Sequence, residues 1–105
     1  MHQHIMTKRQ REIRELRDVC MLFVAQRGNQ REMNGTPIME ATLGPFTIWL
    51  MPGGARRKLD VWDARAGSAK VLDLGWSGDK LEIGSFRRGA WEQELFDLAR
   101  RVPTR

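Results

Sequence analysis

The hydrophobic period of this chain changes from helical to alternating and back, and those two changes limit the folds open to it. Between Lys8 and Arg27, apolar residues recur at helical spacing: Ile13, Leu16, Cys20, Phe23 and Val24 fall on one stripe. From Ile38 to Phe86 they recur at every second position, in short runs broken by Gly44-Pro45, Gly67-Ser68 and Gly78-Asp79. A period of two sends alternate side chains to opposite sheet faces, and short glycine breaks favour hairpins. After Gly89 the helical period returns with Trp91, Leu95, Leu98 and Val102. The pattern predicts an α+β fold in two layers: an N-terminal helix, a five-stranded antiparallel meander sheet and a C-terminal helix (α-β-β-β-β-β-α). For 105 residues a single domain over 1–105 is expected, with flexible ends at 1–6 and 103–105.

Local signals place the boundaries. Thr7 followed by Gln10 is a capping box, and Gly28-Asn29 is a helix stop, which sets the first helix at about Lys8 to Arg27. Asn29 to Thr36 is polar and holds an Asn34-Gly35 turn signal. Strands are expected at Ile38–Leu43, Phe46–Met51, Leu59–Ala64, Lys70–Trp76 and Lys80–Phe86. The second helix is expected from Ala90 to Arg101, with Glu92 and Glu94 early and Arg100 and Arg101 late, complementing its dipole, and with Pro103 ending it.

Register can be tested within the sequence. Two-residue turns would place Leu43 opposite Phe46, Ala41 opposite Ile48, Val61 opposite Leu74, Leu59 opposite Trp76, Leu74 opposite Ile83 and Trp76 opposite Leu81. All are apolar pairs on one face, which would also hold Met39, Leu50 and Leu72, and the helices would cover it. The other face would carry Glu40, Thr42, Thr47, Trp49, Met51, Asp60, Trp62, Asp73, Gly75, Glu82 and Gly84. Trp49 and Trp62 become cross-strand neighbours there, with Gly75 and Gly84 leaving room for a ring.

Two candidate surfaces follow. The first is the tryptophan face, with Trp49, Trp62, Asp60, Asp73 and Glu82 as its expected protein-binding residues, because Trp is enriched at interface hot spots. Four carboxylates beside the rings would repel a phosphate backbone and suit a protein partner, a basic peptide or self-association. The alternative is a basic rim of Arg27, Arg31, Arg56, Arg57, Lys58 and Lys80 at one end of the sheet, able to contact nucleic-acid phosphates. Net charge is +5, yet 13 acidic residues are interspersed with the cations, so the bias toward anionic partners is mild.

Several chemistries are disfavoured. Gly53-Gly54-Ala55-Arg56-Arg57-Lys58 precedes a strand rather than a helix and lacks the spacing of a phosphate-binding loop. His2 and His4 stand alone in the tail, so no metal or other cofactor is expected. The one cysteine, Cys20, lies in an apolar run and reads as an inert core thiol of a reducing cytoplasm. With no histidine outside the tail and no tyrosine, no small-molecule substrate or enzymatic centre is evident. The longest apolar run, Val19–Ala25, is too short to span a bilayer, and the N-terminus has no signal-peptide pattern, so no membrane association is expected. The expectation is a small, non-enzymatic, cytoplasmic accessory protein of bacterial type, most readily binding another protein through the tryptophan face.

Overall fold

The computed structural model describes residues 7–51, 56–67, 69–87 and 89–101, without the side chains at 66, 85 and 86. The expected flexible ends, His2 and His4, the stop at Pro103, Gly53 and Gly54 lie outside the described residues.

Helix α1 spans Lys8–Arg27. Its start is the expected capping box: the Gln10 backbone N–H donates to Thr7 Oγ1, and the Thr7 N–H donates to Gln10 Oε1. Its buried stripe is Ile13, Leu16, Cys20, Phe23 and Val24. Gly28 ends it for a reason other than a left-handed turn, since its φ is −77°. A Cβ there would lie 2.5 Å from the Val24 carbonyl oxygen and 3.3 Å from that of Glu40. Close approach of two backbones demands the glycine.

The sheet has six strands, not five: β1 Asn29–Met33, β2 Thr36–Leu43, β3 Phe46–Met51, β4 Arg57–Asp63, β5 Ala69–Ser77 and β6 Lys80–Phe86, in the meander order β1-β2-β3-β4-β5-β6. The additional strand, β1, pairs with β2 through the Asn34-Gly35 turn. Both turn residues have positive φ, 51° and 82°, which matches the twist of a tight hairpin. All five β1 residues are exposed, so the strand carries no hydrophobic alternation.

The hairpins at Gly44 and Gly78 have the expected registers, Leu43 facing Phe46, Ala41 facing Ile48, Leu74 facing Ile83 and Trp76 facing Leu81. The β4–β5 pairing is shifted: Leu59 faces Leu74 and Val61 faces Leu72. A 3-10 turn, Ala64–Ala66, replaces the expected two-residue link, and the Asp63 carboxylate accepts from the Arg65 N–H to cap it. A displacement of two residues preserves parity, so the same apolar side chains stay inward. Between Val61 and Trp62 the register slips again, so Trp62 faces Lys70. This bulge turns both Val71 and Leu72 toward the core and sends Lys70 outward, opposite to strict alternation.

Helix α2 spans Trp91–Arg101 and buries Trp91 and Leu95. Both helices pack on the inner face, over a core that includes Phe46, Ile48, Leu59, Val61, Leu72 and Leu74. Each fully buried aliphatic or aromatic side chain contributes roughly 1.5–3 kcal/mol. Ile83 departs from expectation. It faces inward but lies on edge strand β6 and stays 43% exposed. Glu92 and Glu94 do more than complement a dipole: Glu92 pairs with Arg9 at 2.9 Å and Glu94 with Arg65 at 2.8 Å, tying α2 to α1 and to the β4–β5 link.

Candidate functional site

The sheet has a second face that carries neither helix. Sheet register arranges its side chains in rows. One row runs Glu40, Trp49, Asp60, Asp73 across β2 to β5. Beside it lie Thr42, Thr47, Trp62 and Lys70, and on the other side Arg31, Ile38, Lys58, Gly75 and Glu82.

Trp49 and Trp62 are diagonal neighbours, since Trp49 faces Asp60 and Trp62 faces Thr47. Their rings meet edge-on with centroids 4.6 Å apart and planes at 62°, and both are half-buried. Such an edge-to-face contact adds about 0.5–1.5 kcal/mol beyond burial. The Trp49 indole N–H donates to Glu40 at 2.6 Å, and Arg31 donates to the same carboxylate at 2.7 Å. The Arg31 bond, helped by the indole, holds the Glu40 carboxyl below its usual range despite partial burial. Lys70 stands 5.3 Å over the Trp62 ring, a cation–π contact.

The expected acidic character of this face is not found, because every carboxylate on it meets a cation. Arg56 pairs with Glu82 at 2.8 Å. Lys58 lies 3.2 Å from Asp73 and 3.8 Å from Asp60, and Lys70 lies 3.7 Å and 3.6 Å from the same two. Asp60 is only 4% exposed, and its Oδ1 has no hydrogen-bond partner among the described residues. Burial pushes the Asp60 carboxyl up, against the pull of Lys58 and Lys70. Asp73 is less enclosed; burial opposes its ionisation too, but the Lys58 bond and both lysine charges hold it down. The room at Gly75 and Gly84 is taken by charge rather than by an indole. A Cβ on Gly75 would meet the Arg56 guanidinium at 3.1 Å, and one on Gly84 the Asp73 carboxylate at 3.1 Å.

The two sequence-derived surfaces therefore merge. Arg31, Arg56 and Lys58, expected on a rim, fold onto the tryptophan face. Arg57 and Lys80 are exposed at the same end of the sheet. Arg27 is set apart: it closes α1 in the helical layer, with β1 between it and that end. Sequence reasoning missed Lys70, because its outward direction depends on the β5 bulge. It also missed that Lys58 shares the parity of Asp60 and Trp62, a signal that was present. At the rim end, a recess of about 570 Å³ is lined by Thr36, Pro37, Met51, Arg56 and Lys58. Between the helices, a groove of about 210 Å³ is lined by Glu12, Glu15, Leu16, Glu92, Gln93, Phe96 and Arg100.

Cys20 is fully buried in the core, and burial pushes its thiol up to about 12, leaving almost no thiolate near neutrality. Among the described residues no group of three or more His, Cys, Asp or Glu could hold a metal ion, and no helix is long and apolar enough to cross a membrane. Comparison with protein families, curated proteins and solved structures finds no match for this chain.

Proposed function

We propose that this is a non-enzymatic interaction protein whose outer sheet face docks another protein through the Trp49–Trp62 pair. One observation carries the reading. Both helices pack on the inner face, and the opposite face keeps two half-buried tryptophans at its centre. Large aromatics ringed by polar groups are the usual anatomy of a binding hot spot. The paired charges sum to zero, so the face lacks the net positive charge on which phosphate-backbone binding chiefly depends, whereas a protein partner also gains by burying apolar groups on the tryptophans. The test is capture of partners by the wild-type protein beside Trp49→Ala and Trp62→Ala variants. Both variants are expected to retain the folded far-UV spectrum and to lose capture. Equal capture by all three would overturn the reading. A salt-sensitive affinity for oligonucleotides that vanishes in Arg56→Ala/Arg57→Ala would favour the basic-rim alternative.

A further inference from the structure

The charges on the outer face are layered as well as paired. In every ion pair there the cation has the more exposed side chain: Arg31 at 53% over Glu40 at 23%, and Arg56 at 61% over Glu82 at 42%. Lys58 at 39% and Lys70 at 33% likewise stand over Asp60 at 6% and Asp73 at 26%. In the helical layer the order is mixed: Asp18 is far more exposed than its partner Arg17, whereas Glu92 is less exposed than Arg9. The cationic side chains are therefore more accessible to an approaching group than the carboxylates they pair with, although the summed charge of these pairs is zero.

From this layering we propose that the docked partner is an acidic polypeptide segment with interspersed apolar side chains; the inference rests on the docking reading above. Its carboxylates would meet Arg31, Arg56, Lys58 and Lys70. Its apolar side chains would lie on the Trp49–Trp62 pair and enter the recess lined in part by Pro37 and Met51. Exposed Arg57 and Lys80 at the same end add positive potential that steers such a segment. This sets aside the basic peptide that the four carboxylates alone allow. A second copy offers comparable chemistry in its α1–α2 groove, where Glu12, Glu15 and Glu92 flank Leu16 and Phe96. That contact would be heterologous, head to tail rather than two-fold, the less common arrangement among oligomers, so an external segment is the better occupant.

Fluorescence anisotropy with three labelled probes decides between these. They are a short peptide of alternating Glu and Leu, its Lys-for-Glu counterpart, and an oligothymidine of equal charge. The Glu/Leu peptide is expected to bind most tightly. Arg31→Gln/Arg56→Gln, two exposed positions outside the core, should weaken it about tenfold and improve binding of the Lys/Leu peptide. Tighter binding of the Lys/Leu peptide to the wild-type protein overturns the acidic partner while leaving the docking reading intact, provided Trp62→Ala abolishes it. Tighter binding of oligothymidine replaces the proposal with nucleic-acid binding. Concentration-dependent self-association lost in Trp62→Ala assigns the face to a second copy. Binding of none of the probes also overturns the proposal, and partner capture through the tryptophans still tests the docking reading separately.

Discussion

Asp60 and Asp73 are the same residue type, face each other across β4 and β5, and share Lys58 and Lys70. Burial separates them. Asp60 is enclosed and its carboxyl is raised; Asp73 is held down by the lysines. The signs of their contributions to stability therefore differ. A raised carboxyl contributes below its unfolded value, about pH 4, and that contribution is lost as pH rises through the folded value. A lowered one contributes above about pH 4 and loses its contribution as pH falls through the folded value. Asp60→Asn is expected to be neutral or stabilising by up to about 1 kcal/mol at pH 7, because it removes a charge that folding buries. Asp73→Asn is expected to cost about 1–2 kcal/mol there, leaving two lysines around one enclosed carboxylate, and the deficit should shrink toward pH 3. Urea unfolding of both variants across this range checks the pair, and a larger loss in Asp60→Asn than in Asp73→Asn contradicts it. Neither environment is written in the local sequence. Parity places both residues outward, but enclosure of Asp60 depends on what surrounds it across the sheet, including Lys70, whose direction the bulge sets.

Strands β2 to β5 were legible because each sets apolar side chains against a covered face, and β6 because Leu81 and Ile83 keep the same period although Ile83 stays exposed. Strand β1 was not, because an exposed edge strand has no inner side chains to reveal a period; only Asn34-Gly35 marked it. Bulges are equally silent, since one inserted residue at Val71 looks like continued alternation until the partner strand is known. The same distinction between local and non-local causes separates two glycines. Gly35 is needed for its φ of +82° and has open space where a side chain would go. Gly28 has an ordinary φ but sits against the α1 backbone. Gly35→Ala should therefore cost about 1 kcal/mol, with faster amide exchange confined to β1 and the start of β2. Gly28→Ala should cost more, about 2 kcal/mol, because backbone must move at the α1–β1 junction. Chemical denaturation ranks the two, and a milder effect at Gly28 would show that the close approach is not needed.

At the scale of the molecule, the fold divides its four tryptophans. Trp76 and Trp91 are 6% and 5% exposed, buried between the sheet and the helical layer, whereas Trp49 and Trp62 lie half-buried on the opposite face. This division makes the charge layering readable by collisional quenching. Iodide and caesium carry opposite charges and both reach the accessible indoles. The chain's net charge of +5 draws iodide to the whole molecule. At about 0.1 M ionic strength, however, charges beyond about 10 Å are largely screened, so only the neighbours of the rings count. Those neighbours are Lys70, over the Trp62 ring, and Glu40, which accepts from the Trp49 indole beneath its more exposed partner Arg31. Iodide should quench the native protein more steeply than caesium at this ionic strength. Trp49→Phe/Trp62→Phe should remove most quenching by either ion, because the remaining indoles are covered. Arg31→Gln/Lys70→Gln should narrow the gap between the two ions by exposing Glu40 and Asp73 beside the rings. Equal or steeper quenching by caesium in the wild-type protein would place the carboxylates outermost and reverse the order of charge on which partner choice depends.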